Sequence, residues 1–372
     1  MVPHVIGSFR DHIYNQTSWK SIHDNCDLFV AFGGVPLKNG QIGQGGLGRH
    51  IQRESILAAH KNGVEFVSIS PLRADMIDEV NADWLQIRPN SDAALMIALS
   101  YVLLSEGLHD RNFLNSYCVG FKKYADYLTG SVDGIVKDSA WGAQICGVNS
   151  EIIENLARRM ARSRTMLSLS WSLTRQAHGE QPFWGGITLA AMLGQIGLPG
   201  GGFGFGYSAV NTIGNDIQRL PVAAIPQGTN PVNSFIPVAR IADMLLNPGG
   251  SFDYNGGSYN YPDIDIIYWA GGNPFHHHQD LKRLLKGWKK PSTIIVHDWC
   301  WNALAKHADI VLPCTTSLER NDIAMSPMDN YFVSMEAAIT PVGNARDDFE
   351  IFRDIASRLG AEEIFTEGRS AE

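Results

Sequence analysis

The sequence predicts an α/β fold: two lobes of mostly parallel sheet flanked by helices. Three observations predict it. Six short apolar runs have the length of buried strands: residues 27–34, 64–70, 165–170, 264–270, 292–297 and 310–312. Each run ends in a polar or glycine loop. Helix-length segments lie between them, and strand–helix–strand units close in parallel with a right-handed crossover. In open parallel sheets, ligands bind at the carboxyl ends of the strands. The candidate loops are therefore 34–39, 69–73, 90–92, 170–178, 271–279, 297–299 and 313–320.

Taken in order, residues 1–24 read as a short segment without a convincing domain start. DLFVAFGG (27–34) is the first buried strand, residues 48–62 a helix and VEFVSIS (64–70) the second strand. Residues 84–89 are extended. Asn90-Ser91-Asp92 then lead into the apolar helix AALMIALSYVLLSEG, with Ser91 or Asp92 as its N-cap. Residues 108–165 are mostly helical, and TMLSLS (165–170) is a strand. It feeds a stretch, 171–207, that opens with Ser172, Thr174, Arg175, Gln176, His178, Glu180 and Gln181. That stretch continues through apolar residues 187–196, where Leu189, Met192, Leu193 and Ile196 fall at helical spacing. Pro199 and Gly200-Gly201-Gly202 stop that helix. Two readings fit: a polar scaffold around a large ligand, or an ordinary buried helix with its C-cap.

Residues 208–235 are rich in Asn, Gly and Pro and read as a long loop, which is normally functional or closed over something. A short helix (238–246) precedes a Gly-, Asn- and Tyr-rich segment, 247–261, which sets a lobe boundary near 255. The expected partition is an inserted lobe, 25–255, and a second lobe of 1–24 with 256–372. The α/β rhythm resumes with IDIIYWA (264–270), a helix at 280–288, STIIVH (292–297), a short helix at 303–307, a strand at 310–312 and a final amphipathic helix at 348–359. Loops 208–235 and 322–345 are expected to be mobile without a ligand.

Composition narrows the function classes. The chain has 372 residues, 44% hydrophobic and 18% charged, which describes a globular protein with a sizeable core. The net charge is −8 and no basic run exists, which argues against nucleic acid as the main partner and leaves anionic cofactors to local arginines. The five cysteines, Cys26, Cys118, Cys146, Cys300 and Cys314, form no CxxC pair, so no zinc or iron–sulfur spacing appears. No stretch reaches the length of a membrane span, and the first residues lack a signal-peptide profile. GxGxxG after the first strand, Walker A and GxSxG are all missing, which disfavours a simple NAD enzyme, a P-loop ATPase and a nucleophile-elbow hydrolase.

Three loops carry candidate chemistry. In GGNPFHHHQ (271–279), Asn273 both donates and accepts, while His276-His277-His278 admit three readings: metal ligation, contact with an anion or polar ligand, or capping of the helix near Asp280. Adjacent histidines do not share a face, so at most two reach one ion. His297-Asp298 sits at a strand end, where the carboxylate suits a ribose hydroxyl or a guanine N1–H, or else caps the next helix. Thr315, Thr316, Ser317 and Arg320 follow a buried strand and suit phosphate, as does Arg175; a surface salt bridge is the alternative for each arginine.

These loops resemble those of the molybdopterin oxidoreductases of the dimethyl sulfoxide reductase type, in the biotin sulfoxide and trimethylamine N-oxide reductase branch. QTSW (16–19), RPNSDAALM (88–96), HGEQPFWGGITLAAMLGQIGLPGGGFG (178–204), GGNPFHHHQD (271–280) and KHADIVLPCTTSLERND (306–322) carry the resemblance, in the family's order and over nearly the whole chain. It implies the central α/β domains of that fold. It implies molybdenum held between two pterin–guanine dinucleotides, the bis(molybdopterin guanine dinucleotide) cofactor. It implies two-electron reduction of S-oxides or N-oxides such as biotin sulfoxide, dimethyl sulfoxide or trimethylamine N-oxide. The implied cofactor contacts are Lys38, Asn39, Ile69, Ser70, Asn90, Ser91, Asp92, Leu169, Ser170 and Arg175, and then Asn273, His277, His297, Asp298, Arg320 and Asp348. An electron-donor protein, such as a c-type cytochrome or a reductase, and a periplasmic or cytoplasmic location are implied as well.

Departures qualify the match. Ser70 stands where the family often has an acid, and His297 where Gln or another polar residue is common. The family's molybdenum-ligating serine lies N-terminal to QTSW, and a C-terminal barrel-like domain completes both dinucleotide sites. The chain is therefore expected to be the central portion of such an enzyme, with Met1 an internal methionine and the metal ligand outside it. Three functions follow for test: an oxidoreductase working with separately encoded flanks, a cofactor-binding module inactive alone, and a nucleotide-dependent enzyme unrelated to molybdenum.

Overall fold

The computed structural model describes residues 1–43, 47–216, 229–326 and 329–371. They divide into two compact units, one of residues 1–222 with 325–332 and the other of residues 223–324 with 333–372. The middle of the expected 208–235 loop, residues 217–228, lies outside the described residues.

The first unit opens with helices α1 (Val2–Ile6), α2 (Phe9–Tyr14) and α3 (Trp19–Asn25), then β1 (Leu28–Phe32), α4 (Gln52–Lys61), β2 (Glu65–Ile69), β3 (Asp83–Leu85) and α5 (Asp92–Ser105). It continues with α6 (Arg111–Tyr117), α7 (Phe121–Leu128), α8 (Ser139–Cys146), α9 (Ser150–Arg162), β4 (Thr165–Leu169), α10 (Glu180–Met192) and β5 (Gly202–Phe205). The strands form a five-stranded sheet in the order β3-β2-β1-β4-β5, parallel throughout. Every residue of β1 is buried, as a central parallel strand covered on both faces requires. Its side chains alternate between two cores. Leu28, Val30 and Phe32 face the core built with α5, α9 and α10, and Phe29 and Ala31 face the core that holds Trp19, Ile56 and Met166.

The QTSW motif explains how the N-terminal helices attach. The Gln16 amide donates to the Phe205 carbonyl at 2.6 Å and accepts from the Phe205 N–H, so one side chain acts as a strand partner for the edge of β5. Tyr207 donates its hydroxyl to the Thr17 carbonyl, Ser18 caps α3 by accepting from Ser21 N, and the Trp19 ring stacks on Phe29 at 5.5 Å.

Three details differ from the sequence reading. The glycine stop at 200–202 runs on into a strand, β5, and α10 ends at Met192, before Ile196. GFGF alternates at period two: Phe203 and Phe205 enter the core, while a Cβ on Gly204 would lie 2.5 Å from the Tyr207 ring. Helix α4 starts at Gln52, four residues after the expected position. Part of the 247–261 segment is a β-hairpin of the second unit.

That second unit comprises α11 (Ile241–Leu246), the hairpin β6 (Ser251–Tyr254) and β7 (Gly257–Asn260), β8 (Ile266–Ala270), α12 (Pro274–His277), α13 (Leu281–Trp288), β9 (Thr293–Asp298) and β10 (Ile310–Pro313). Helices α14 (Asp348–Arg358) and α15 (Glu362–Thr366) follow, so the amphipathic helix is not the last element. Strands β8 to β10 form a parallel sheet in the order β10-β9-β8. Its core gathers Trp288, Leu284, Val296, Phe275 and Leu304.

Candidate functional site

All ten candidate residues of the first unit lie at the carboxyl edge of its sheet. The strand order turns back between β1 and β4, and a crevice opens at such a switch point. There Ser170 N donates to the Phe32 carbonyl (2.9 Å) and Gly33 N to the Ile69 carbonyl (2.8 Å). Gly33 has φ +83°, and a Cβ on it would meet Ser170 Cβ at 2.6 Å, so glycine is needed for the two chains to pass. The hydroxyls of Ser170 and Ser172 lie 2.9 Å apart. The Arg175 side chain is exposed and, among the described residues, pairs with no carboxylate. Ile69 and Leu169 are fully buried, and each carbonyl accepts from a neighbouring strand end, so these two act through position.

The acid missing at position 70 arrives from elsewhere. Asp75 accepts from the Ser70 hydroxyl at Oδ2 (2.7 Å) and from Lys38 Nζ at Oδ1 (3.2 Å). Its carbonyl accepts from Val35 N (2.7 Å). A Cβ on Gly34, at φ +71°, would meet Asp75 Cβ and O at 2.5 Å. Asp75 thus binds the loop after β1 to the loop after β2. The sequence reading missed it; the available signal was an acid in PLRAD, five residues beyond a strand-end serine. Asn39 is exposed and opens a 3-10 turn, Asn39–Gln41.

At the third strand, Asn90 is exposed with φ +67°. Ser91 is the residue before α5 but makes no side-chain cap; its hydroxyl donates to the Arg88 carbonyl at 2.6 Å. Asp92 is buried at the start of α5, and burial pushes its carboxyl up to about 6. A helix N-terminus favours the anion, so desolvation outweighs it here. The result is a buried carboxyl at a strand-end loop, where a backbone N–H only partly offsets the loss of water.

The six candidates of the second unit share the carboxyl edge of its own sheet. After β8, Asn273 Oδ1 accepts from Phe275 N (3.0 Å) and caps α12, while its buried Nδ2 has no partner. His276 and His277 are exposed, and burial followed by the charge of His277 lowers the pKa of His278. Asp280 itself caps α13, so the histidines do not. Among the described residues no group of three His, Cys, Asp or Glu side chains is arranged to hold a metal ion.

After β9, His297 is buried between two partners: Nδ1 lies 2.6 Å from Asp348 Oδ1 and Nε2 lies 2.6 Å from the Tyr268 hydroxyl. The structure thus joins two candidates and adds a third residue, Tyr268. Only the strand register, which sets Ala270 opposite His297, would have shown it. Asp298 is engaged locally. Oδ1 accepts from Trp299 N (2.9 Å) and Cys300 N (3.3 Å), and Oδ2 from Asn302 Nδ2 (2.6 Å). It therefore caps a turn, and Asp348 is the carboxylate with an oxygen to spare. Burial, then Asp348, then Asp298 push the Cys314 thiol up to about 11, which places both acids around it. Trp299 and Trp301, each about 70% exposed, flank the same loop as aromatic faces.

After β10, the loop is zipped to the start of α14. Arg346 N donates to the Pro313 carbonyl, Thr315 N to the Arg346 carbonyl, and the Thr315 hydroxyl to Asp347 Oδ1. Arg320 pairs with Asp322 (3.0 Å) and donates to the Thr315 carbonyl (2.7 Å), so part of its fork is already in use.

The chain is similar to known proteins over nearly its whole length. A model of the molybdopterin oxidoreductase family matches residues 6–358. The chain is 45% identical over 366 residues to a biotin sulfoxide reductase of Cereibacter sphaeroides, covering 98% of this chain and 49% of that protein. It is 43% identical over 382 residues to a dimethyl sulfoxide/trimethylamine N-oxide reductase of Cereibacter sphaeroides (99% and 46% covered). It is 40% identical over 391 residues to a trimethylamine-N-oxide reductase of Haemophilus influenzae (100% and 46%). Acetylene hydratase from Pelobacter acetylenicus matches in structure with a TM-score of 0.57 and 18% identity, covering 93% of this chain and 50% of that one, a likeness of fold. The chain spans about half the length of the curated relatives it matches. With the family model running over most of its length, the chain belongs to the molybdopterin oxidoreductase family.

Proposed function

We propose that this chain is the cofactor-holding central part of a molybdenum-dependent oxidoreductase that reduces S-oxides or N-oxides, and that it binds bis(molybdopterin guanine dinucleotide). The observation that carries the reading is the pairing of family membership with two parallel sheets, each presenting its candidate residues at one carboxyl edge. Two such edges suit the two dinucleotide arms. The relatives bearing the names biotin sulfoxide, dimethyl sulfoxide and trimethylamine N-oxide reductase support the substrate class.

The residues present fit such a group. Arg175 has no carboxylate partner, and the hydroxyls of Ser170 and Ser172 sit at the switch point, which suits phosphate. The buried Asn273 Nδ2 lacks an acceptor, and burial pushes the Asp92 carboxyl up to about 6. Unpaired buried polar groups of this kind are costly, and a ligand rich in donors and acceptors would satisfy them. When bound, the molybdenum–pterin group supplies the two-electron centre for removal of an oxygen atom. The chain's own residues bind and orient it: Lys38, Ser70, Ser170 and Arg175 toward one arm, and Asn273, His277, Arg320 and Asp348 toward the other. The division of the whole protein into two α/β lobes is part of the same proposal. So are an electron-donor protein and a periplasmic or cytoplasmic location; no described helix is long and apolar enough to cross a membrane.

A second reading is a module that holds the cofactor without turnover of its own. Both are tested by purifying the chain from a host that makes the cofactor and measuring molybdenum and pterin. Near-stoichiometric content with dye-linked oxide reduction supports the first, and content without reduction supports the second. Absence of metal and pterin even when the flanking parts of such an enzyme are co-expressed would overturn both.

A further inference from the structure

We propose, on the reading above, that one face of the five-stranded sheet holds a file of buried water that delivers protons to the crevice at its carboxyl edge. The register of the strands places the polar groups. Side chains alternate along each strand, so Phe29, Phe66 and Met166 stand on one face, in the core closed by Trp19 and Tyr207. One pleat further along, Ala31 lies opposite Ser68 on one side and Ser168 on the other, and Ser168 lies opposite Gly204. The apolar floor thus gives way to small side chains, two of them hydroxyls. The next row, Ser70, Gly33, Ser170 and Gly206, continues the change out to the crevice, and the amide of each donates to a strand-end carbonyl.

Ser68 is 1% exposed and Ser168 is fully buried, yet neither hydroxyl has a partner among the described residues. The elements that cover this face repeat the pattern. Helix α4 and residues 207–213 contribute Ile56, Tyr207 and Ile213 to the same core. They also carry Gln52 Oε1, Asn211 Oδ1 and Thr212 Oγ1, all buried without a partner. Reversing the Asn211 amide does not remove its orphan, because Nδ2 already donates to the Gly48 carbonyl. Buried and unpaired oxygens are costly, and water settles where several of them share one polar place. Ser68 and Ser168 stand on either side of β1, two strand spacings or roughly 10 Å apart, which about two or three hydrogen-bonded waters span. At the outer end, Ser170 follows Ser168 on the same face, and its hydroxyl lies 2.9 Å from that of the exposed Ser172. The hydroxyls therefore lead in one direction, from the covered face to the crevice.

The chemistry of oxide reduction needs such a route. Cleavage of the S–O or N–O bond takes two electrons from the donor protein and two protons, and both protons leave on the departing oxygen as one water. A hydroxyl and a water each accept one hydrogen bond while donating another, so a file of them passes protons without a titratable side chain of its own.

Two measurements test this. Crystals of the full chain, at a resolution that shows water, should place ordered water within hydrogen-bond distance of the Ser68, Ser168 and Asn211 oxygens. Serine hydroxyls turned onto the carbonyls of their own strands, with no water beside them, overturn the proposal. The second measurement uses the cofactor-loaded enzyme with its flanking parts. Ser168→Val puts a methyl group in the file and should lower kcat for oxide reduction about tenfold, leave KM in place and raise the solvent deuterium isotope effect. Ser168→Thr has the same bulk but keeps the hydroxyl, so it should restore most of kcat, and Ser68→Val repeats the loss from an independent strand. An unchanged kcat and isotope effect in both valine variants, or equal losses in Ser168→Val and Ser168→Thr, overturn the proton route. If the unmodified enzyme with its flanks holds no cofactor, the reading above fails, while the crystals still decide the water.

Discussion

Ser70 donates its hydroxyl to Asp75 Oδ2 at 2.7 Å, which gives the end of the second strand an acidic group that its own position does not encode. The other oxygen of Asp75 takes Lys38, so one side chain joins two strand-end loops. Asp75→Ala should cost about 1–3 kcal/mol, because it strands the buried Ser70 hydroxyl, while the exposed Lys38 ammonium returns to water. Urea unfolding measures this. Ser70→Ala alone should cost less, since Lys38 keeps its partner; equal losses for the two variants would contradict a shared clamp.

Gln16 gives β5 its outer hydrogen-bonding partner. Gln16→Ala removes two bonds to the Phe205 backbone and should cost about 1–2 kcal/mol. Hydrogen exchange at the Phe205 amide should accelerate in the variant, while amides in β1, two strands inward, keep their protection. An unchanged Phe205 rate would mean that the edge is held by packing alone.

Asp92 gives a pH signature of known sign. Its folded carboxyl titrates near 6 against an ordinary value of 3.8, so between those values the folded chain binds more protons than the unfolded one. Stability therefore falls as pH rises through that window and then levels off. Asp92→Asn should be neutral at pH 3.5 and stabilising by up to roughly 3 kcal/mol at pH 7. Thermal melts across pH check it, and a gain already complete at pH 3.5 would exclude burial as the cause.

His12 gives the opposite slope. Its ring stacks on Phe203 at 4.7 Å, its buried Nε2 has no partner, and burial lowers its pKa from 6.5 to about 4. Here the unfolded chain binds the extra proton, so stability is lost as pH falls from 6.5 toward 4. His12→Phe keeps the ring stack and should remove that loss, roughly 2 kcal/mol after allowance for a partly exposed ring. Melts at pH 4.5 and 7.5 should differ less in the variant than in the parent chain.

These cases also mark how far the chain could be read before its structure was known. The runs at 27–34, 64–70 and 165–170 are strands, because a buried parallel strand must be apolar along its whole length, and that is a local property. The edge strand GFGF is not legible locally, because two glycines in four residues weigh against a strand until Tyr207 and Gln16 are seen to occupy the space above Gly204. The helix cap at Ser91 was plausible from spacing, yet its hydroxyl turns back to Arg88.

The sequence by itself determined the α/β class, the strand ends where a ligand would lie, and the family, since periodicity, loop punctuation and motif order are all written in short stretches. Tertiary structure alone decided which side chains act together. Asp75 meets Lys38 across 37 positions, Tyr268 meets His297 across 29, and His297 meets Asp348 across 51. Those partnerships depend on strand order and register, which follow from how whole elements pack and not from any one segment. It is also the packing that buries Asp92 and His12, so their titration belongs to the fold and not to the residue type.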